Sequence, residues 1–174
     1  MFLNIISVDK TSFDVYLPQL ADVLVDGVNS GASISFVKPL SKKDAARYWE
    51  KVIFPIVDNG ERLLYVAMID NKVVGTVQLV TELPPNQFHR CEVSKLIVHT
   101  KFRGNGIGKS LMKTIIKKAS SIDKTLITLD TRTGDVSQRL YESLGFDIAG
   151  TIPDFALDPD GKSLSATTYM FKRI

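Results

Sequence analysis

Cysteine, histidine and tryptophan are rare in this chain of 174 residues, and long apolar runs are missing. A single cysteine, Cys91, excludes a disulfide within the chain, which is the usual framework of small secreted domains. No apolar stretch reaches the ~20 residues of a membrane-spanning helix. The opening segment, MFLNIISVDK, lacks the basic start and apolar centre of a signal peptide. We therefore expect a cytoplasmic protein that does not bind membranes.

A strong excess of either charge is also missing. The chain has 22 Lys and Arg against 19 Asp and Glu, and its net charge of +3 is too small to indicate a nucleic-acid-binding surface. Its 44% hydrophobic residues are typical of a globular protein with a substantial core. The two histidines, His89 and His99, fit no standard metal-ligand spacing. We expect neither a metal nor a nucleic-acid partner.

Hydrophobic periodicity predicts the element order β-α-α-β-β-β-α-β-α-β-β without repeats or linkers, so residues 1–174 are expected to form one domain. The first helix should have Pro18 near its start, Ser41 should cap the second helix, and Pro55 should end or kink it. Asp70-Asn71-Lys72 lies between two apolar runs and predicts a hairpin. Such a series is typical of an α/β (α+β) fold. We expect a mixed, mostly antiparallel twisted sheet of six or seven strands with helices on both faces.

A glycine-rich segment, RGNGIGKS, lies between a predicted strand and a predicted helix. Glycines allow a close backbone approach, and amides at a helix N-terminus attract anions, so this segment predicts a phosphate site. Neither common nucleotide motif fits it. A P-loop would need glycine in place of Arg103, and a dinucleotide fingerprint would need glycine in place of Lys109 or Leu111.

The pattern R-x-x-G-x-G over residues 103–108, after a strand and at the start of a helix, resembles the signature of the GNAT N-acetyltransferase superfamily. LYESLGF, residues 140–146, resembles the later motif of that family, whose tyrosine, here Tyr141, faces the coenzyme sulfur. The resemblance implies the GNAT fold, with a V-shaped splay between the strands Glu92–Val98 and Leu126–Asp130.

The resemblance also implies acetyl-coenzyme A as the donor, with its pyrophosphate on the glycine loop and its pantetheine arm along the preceding strand. A backbone N–H at or beside Leu96 would stabilise the oxyanion. Many family members have asparagine seven residues before the tyrosine, where this chain has Gly134, so Asp135 or backbone groups would have to bind that part of the arm. The implied coenzyme-binding residues are Leu96, Ile97, Val98, Arg103, Gly104, Asn105, Gly106, Ile107, Gly108, Lys109, Ser110, Asp135 and Tyr141.

Three side chains are candidates for the proton transfers. Glu92, at the start of one splayed strand, is the leading candidate for general base, with Asp130 at the end of the other strand as its partner. Tyr141 is the candidate general acid, since the ordinary tyrosine pKa of about 10 suits a departing thiolate. The structural alternatives are that Glu92 is an exposed strand end, that Asp130 caps a turn and that Tyr141 is a core aromatic. No motif pairs Cys91 with a histidine, so we expect direct attack and no acyl-enzyme.

A narrower likeness, to tabtoxin resistance proteins and related antibiotic acetyltransferases, extends over about residues 31–172. It is carried by GASISF, RCEVSKLIV, RGNGIGKSLM, LDTRTGDVSQRLY and IPDFALDPDGKSLSATTYMFK. It implies a small-molecule primary amine as acceptor, such as an amino-acid-like antibiotic or toxin, and the candidate acids favour a cationic amine. A non-catalytic acyl-CoA-binding sensor or interaction module is the alternative, and both a monomer and a homodimer stay open. Candidate acceptor-binding residues are Ser33, Phe36, Phe88, Arg132 and Phe155.

Overall fold

Seven strands form one open sheet in a computed structural model that describes residues 2–174. The strands are β1 Leu3–Val8, β2 Arg62–Ile69, β3 Lys72–Val80, β4 Arg90–Val98, β5 Leu126–Arg132, β6 Asp147–Leu157 and β7 Leu164–Arg173. The helices are α1 Phe13–Asn29, α2 Lys42–Tyr48, α3 Phe54–Asp58, α4 Ile107–Ser121 and α5 Val136–Ser143. Among the described residues, no helix combines the length and the apolarity that crossing a membrane requires.

The strand order in the sheet is β1-β2-β3-β4-β5-β7-β6. Neighbouring strands are antiparallel, except that β4 and β5 are parallel. Helix α4 connects these two parallel strands, as the strand–helix–strand pattern of the sequence predicts. The predicted mixed, mostly antiparallel sheet with helices on both faces is therefore confirmed.

The parallel pair is short. The ladder between β4 and β5 joins Arg90–Glu92 with Leu126–Thr128. From there β4 runs on to Val98 and β5 to Arg132, and the described structure shows no ladder between these two parts. The strands separate in a V, so the predicted splay is confirmed, and a cleft opens between their carboxyl ends.

Local sequence explains several turns and helix ends. Asp70 and Asn71 have φ values of 48° and 62°, so both central residues of the β2–β3 turn are left-handed, as a type I′ hairpin requires. The Ser41 hydroxyl accepts a backbone N–H at 3.1 Å and caps α2. Ahead of Pro55 the helix widens into a π-helical turn, Trp49–Ile53, which separates α2 from α3. The predicted hairpin, cap and kink are confirmed.

The prediction that Pro18 lies near the start of α1 is wrong, because the helix begins earlier, at Phe13. The cause lies just upstream. The Asp9 carboxylate accepts the backbone N–H groups of Thr11 and Ser12, each at 3.0 Å, and this turn leads directly into the helix. Pro18 removes one helical hydrogen bond, and the loss is offset by the apolar face of α1 that packs against the sheet.

Apolar side chains pack against both faces of the sheet. On one face, α1 and α2 cover a cluster that includes Leu24, Trp49 and Ile97. The Trp49 indole N–H is buried and donates to the Leu20 carbonyl at 3.0 Å. On the other face, α4 covers a cluster that includes Leu111. Each large side chain contributes about 1.5–3 kcal/mol when fully buried, so the two layers hold β4 and β5 firmly up to their point of separation.

Cys91 lies within the α4-side cluster. Its side chain is fully buried, and its thiol donates to the Leu126 carbonyl at 3.8 Å. Burial raises the pKa of the Cys91 thiol to about 11, so only about one molecule in a thousand carries the thiolate at pH 8. This environment supports the expectation that Cys91 is not a nucleophile.

We expect Cys91 to be unreactive in the native protein, because the reagent must reach a buried thiol that is almost entirely protonated. At pH 8 the thiol dye DTNB should release well under ~0.1 equivalent from the native chain while the denatured chain reacts fully. The chain in guanidinium chloride is the control and should give one equivalent, since it has one cysteine. Full and rapid labelling of the native chain would contradict the buried position.

Candidate active site

The separation of β4 and β5 leaves one edge of β4 open. Beyond Glu92, the backbone groups on this edge face the cleft, and no strand of the described chain pairs with them. Backbone groups that are shielded from water need hydrogen-bond partners, so an extended ligand that pairs like a strand fits here. A cavity of about 570 Å³, the edge cavity, follows this edge and is lined there by Leu96, Ile97 and Val98.

A bulge distorts the middle of β4. Thr76 and Gln78, two residues apart on β3, lie opposite Ile97 and Ser94, which are three residues apart on β4. The extra residue makes a β-bulge, and Lys95 in it has a left-handed φ of 52°. A bulge bends a strand and re-aims its side chains, and this conformation of a lysine costs about 1 kcal/mol or more. Backbone and side chains at this point are therefore directed by the bulge and not by regular pleating.

The glycine-rich segment forms one end of the edge cavity. Gly104 and Gly106 have φ values of 80° and 73°, in the left-handed region that glycine adopts without strain. Gly106 directly precedes α4, and its carbonyl accepts the first helical hydrogen bond from the Ser110 N–H at 3.0 Å. The earlier amides have no helical acceptor and carry the partial positive charge of the helix end, an arrangement that suits an anion. The loop residues that line the cavity are Arg103, Gly104, Gly106, Ile107, Gly108 and Lys109.

Arg103 lines the cavity, yet its guanidinium is hydrogen-bonded within the protein. Its Nε donates to the Val98 carbonyl at 2.9 Å and its Nη2 to Ser30 Oγ at 3.1 Å. These bonds tie the loop to the end of β4 and to the end of α1. Asn105 donates to a backbone carbonyl of its own loop at 3.1 Å, and neither Asn105 nor Ser110 lines the cavity. The side chains of Arg103 and Asn105 thus stabilise the conformation of the loop.

The start of α5 forms another wall of the edge cavity. Asp135 lines the cavity, and its carboxylate accepts the Val136 N–H at 2.7 Å. Gly134 has a left-handed φ of 77°. Glycine adopts this conformation without strain, and it offers the cavity no side-chain amide at this position.

A second cavity of about 380 Å³, the inner cavity, opens from the edge cavity where the strands separate. Asp130 lies on the separated part of β5, Tyr141 lies on α5, and both line the inner cavity. The two cavities are parts of one cleft, because five residues line both: Ser33, Ile34, Leu96, Arg132 and Ser137.

Tyr141 is held in the protonated state. Its side chain is only 6% exposed, and its ring lies against Phe146 with centroids 5.9 Å apart. Burial raises the pKa of Tyr141 well above the ordinary value, and the carboxylates of Asp130 and Asp135 raise it further. The phenol therefore keeps its proton throughout the neutral range and is present there as a donor.

Glu92 lies outside both cavities, unlike Asp130 and Tyr141. It belongs to the last residue pair of the β4–β5 ladder, and its carboxylate forms an ion pair with Arg90 at 3.3 Å. Arg90 also donates to Gln87 at 2.6 Å, which holds the ion pair against the strand. The structure does not bring Glu92 to the other two candidates, because Glu92 lies where the strands are paired and the cavities lie where they separate.

Four of the five candidate acceptor-binding residues line the inner cavity: Ser33, Phe36, Arg132 and Phe155. Phe88 does not, since it is 75% exposed and its ring lies against His89. Phe88 lies in the turn that precedes β4. That turn is at the amino end of the parallel pair, whereas both cavities lie at its carboxyl end.

Lys95 and Ser137 are among the cavity residues that sequence reasoning missed. Ser137, in the first turn of α5, lines both cavities and is hydrogen-bonded to Thr131 at 2.8 Å. Lys95 lines the inner cavity, and its ammonium donates to the Ile34 carbonyl at 2.9 Å and to Ser35 Oγ at 2.8 Å. A signal for Lys95 was present, because a lysine breaks the apolar alternation of EVSKLIV where a bulge would shift it. Nothing in the pattern indicated Ser137.

The chain between α1 and α2 covers the inner cavity, and we refer to it as the α1–α2 segment. The Lys38 N–H donates to the Pro159 carbonyl at 2.8 Å and joins this segment to the β6–β7 turn. In that turn Asp158 forms an ion pair with Arg132 at 3.1 Å. A hydrogen bond from the Ser165 hydroxyl, with the Arg132 guanidinium beside it, lowers the pKa of Asp158. The ion pair and hydrogen bonds of Asp158 therefore stabilise the turn on the outer side of the cavity.

Comparison with known proteins identifies relatives. The model of the Acetyltransferase (GNAT) family matches residues 32–146, well over half of the chain. Human N-alpha-acetyltransferase 30 is 32% identical over 91 residues, which are 52% of this chain and 25% of that protein. The chain thus spans about a quarter of the length of the first curated relatives that it matches.

Solved structures share the fold over the whole chain. The ribosomal-protein-alanine N-acetyltransferase of Brucella melitensis has a TM-score of 0.78 at 22% identity, with 100% of both chains covered. A Salmonella typhimurium protein solved with its cofactor acetyl-CoA has a TM-score of 0.77 at 19% identity, with 99% of this chain and 94% of that chain covered. At these identities the likeness establishes the fold.

Proposed function

Because the chain belongs to the acetyltransferase (GNAT) family, we propose that it is an acetyl-CoA-dependent N-acetyltransferase whose acceptor is a primary amine of a small molecule. The observation that carries this proposal is the cleft, in which an open strand edge, a helix N-terminus and a buried tyrosine surround one continuous space. An amino-acid-like antibiotic or toxin is an acceptor of this class.

The edge cavity fits acetyl-CoA in three places. The amides that begin α4 would hold its pyrophosphate, because they are free donors at the positive end of a helix dipole. The open edge of β4 at Leu96–Val98 would pair with its pantetheine arm. The bulged backbone at Leu96 lines both cavities, so an N–H there would donate to the thioester oxygen as negative charge develops.

Asp130 and Tyr141 fit the proton transfers of this reaction. Asp130 would take the proton that the acceptor ammonium loses before its nitrogen attacks the thioester carbon. As the carbon–nitrogen bond forms, the carbon–sulfur bond breaks, and Tyr141 would donate its hydroxyl proton to the sulfur. The nitrogen loses a second proton when the amide forms. This balances the proton given to the sulfur, so one proton leaves to solvent overall.

Two features favour a small acceptor over a polypeptide. The inner cavity of about 380 Å³ has the size of a small-ligand pocket, and the α1–α2 segment covers it through the bond between Lys38 and Pro159.

The human relative and the Brucella neighbour are named for N-alpha acetylation and for a ribosomal-protein alanine. A peptide N-terminus is therefore the competing acceptor class.

A screen of small primary amines and of short peptides with acetyl-CoA tests the proposal. Released coenzyme A is measured with DTNB. The buried Cys91 thiol should not react with the dye, so the signal reports the product. We expect turnover of at least one small amine and none of the peptides. Turnover of peptides alone would reassign the acceptor. Coenzyme A binding without thiol release from any amine would favour a non-catalytic acyl-CoA-binding module.

Replacement of Gly106 by alanine should weaken coenzyme A binding beyond its effect on the fold. A Cβ at a φ of 73° costs about 1–2 kcal/mol, and relief of that strain would move the amides that begin α4. Gly60→Ala is the matched control, because Gly60 has a φ of 79°, open space around its Cβ and no part in either cavity. Both variants should lose similar stability in thermal melts. Calorimetry should show a Kd for coenzyme A raised about tenfold or more in Gly106→Ala alone, and equal Kd values would contradict the assignment.

Asp130→Asn and Glu92→Gln should differ sharply in turnover. Removal of a general base costs about 10²-fold or more, so kcat should fall by that amount in Asp130→Asn. Glu92→Gln should stay within about threefold, because Glu92 lies outside the cavities in an ion pair with Arg90. Steady-state kinetics with the best acceptor measures both. The reverse order of effects would restore Glu92 as the leading base.

Tyr141→Phe should lower kcat by about 10²-fold and leave the Kd for coenzyme A nearly unchanged, since the ring keeps its packing and only the donated proton is lost. Because the pKa of Tyr141 is raised, ionisation of this group should not lower kcat of the unaltered chain below about pH 10. A pH profile of both proteins checks this. Unchanged turnover in Tyr141→Phe would exclude its role as the acid.

A further inference from the structure

Polar side chains of three adjacent strands lie together beside the inner cavity. They are Arg62 on β2, Gln78 on β3, and Ser94 and Lys95 on β4, which we call the donor cluster. Gln78 lies opposite Ser94 in the register, and the Arg62 Nη1 donates to Gln78 Oε1 at 2.6 Å. The apolar neighbours of these residues on their own strands belong to the packed layers of the fold. A polar group at this position is therefore an exception that needs an explanation.

The two cations of the donor cluster have only neutral partners. Arg62 is bonded to Gln78, and Lys95 is bonded to the Ile34 carbonyl and to Ser35. Neither forms an ion pair with any residue of 2–174. Both are partly buried, and a charge taken out of water is costly unless an opposite charge or further hydrogen bonds compensate it. The Asp130 carboxylate favours the charged form of Lys95 from beyond ion-pair distance, so the protein neutralises the positive charge at this wall only in part.

Hydrogen-bonding capacity is also unused here. The Nε of Arg62 and the Oγ of Ser94 are buried, and neither has a partner among the described residues. Ser94 lines the inner cavity, as does Lys95. A buried donor without a partner costs about 1–3 kcal/mol, so this wall favours a ligand that brings negative charge and hydrogen-bond acceptors.

Two strained backbone positions bring side chains of this region together. Lys95 and Ser35 both have left-handed φ values, 52° and 72°. Their side chains meet at 2.8 Å, and the Lys95 ammonium lies 5.9 Å from the centre of the Phe36 ring. Strain of this kind persists where a function requires it. The bulge therefore presents Lys95 to the inner cavity opposite the α1–α2 segment.

We propose that the donor cluster forms a carboxylate subsite, so that the acceptor is an amino acid whose carboxylate binds at Ser94 and Lys95, with the Arg62 charge behind them, while its amine lies at Asp130. The inference rests on the proposed function. Lysine forms strong charge-assisted hydrogen bonds with carboxylates, and the Arg62 guanidinium, bonded to Gln78, adds positive charge behind this wall. Lys95 and Asp130 line the same cavity with opposite charges, which complements a zwitterion. A plain cationic amine would leave the donor cluster unused.

The test compares free L-amino acids with their amides as acceptors for the full chain and acetyl-CoA. We expect kcat/KM for the best free amino acid to exceed that of its amide by about tenfold or more. The amide has the more readily deprotonated amine, so such a preference cannot come from the reactivity of the amine. Arg62→Met and Ser94→Ala should both lower this ratio toward one. Arg47→Met, the same change at an exposed position of α2, should leave the ratio unchanged.

The outcomes separate this inference from the proposed function. Equal rates for acids and amides, or a ratio that both cluster variants preserve, would overturn the carboxylate subsite and leave the acetyltransferase proposal standing. No thiol release from any amine would overturn the proposed function itself. If Arg62→Met does not fold, as a thermal melt would show, Ser94→Ala decides through the same ratio.

Discussion

The ladder between β4 and β5 ends after three residue pairs, and the cleft depends on that ending. Past Glu92 the edge of β4 carries backbone groups that the sheet does not satisfy, while two apolar layers hold the strands in place. Because the strands are parallel, the opening lies at their carboxyl ends, beside the N-terminus of the helix that joins them. One strand–helix–strand unit thus produces both the open edge and the anion site.

Electrostatics divides the cleft into regions of different chemistry. The start of α4 offers backbone amides and no acid, as a pyrophosphate requires. In the inner cavity Asp130 and Lys95 have opposite charges, with Arg62 behind the second. Burial lowers the pKa of Lys95, Asp130 opposes that shift, and Arg62 adds to it, so these groups influence one another. The inner cavity therefore presents charges of both signs.

Most of the fold could be predicted from the sequence, because its signals are local. The Asp70-Asn71 turn, the Ser41 cap and the glycines before α4 act over a few residues and appear in the structure as expected. The site was harder to predict, since it depends on where two strands stop pairing. Glu92 still belongs to the paired part of the strands and lies outside the cavities, whereas Lys95 lies in the bulge and lines the inner cavity. Neither effect follows from periodicity alone.

The wall shared by the two cavities has a thermodynamic consequence. Leu96 and Ile34 border both spaces, so a coenzyme in the edge cavity would itself form part of the surface that the acceptor touches. The affinities of the two ligands are then linked, and each must change the other by the same factor. Without the coenzyme, the acceptor would lack the part of its binding surface that the coenzyme contributes. If the chain acts as proposed, this shared wall favours ordered addition, with the coenzyme first.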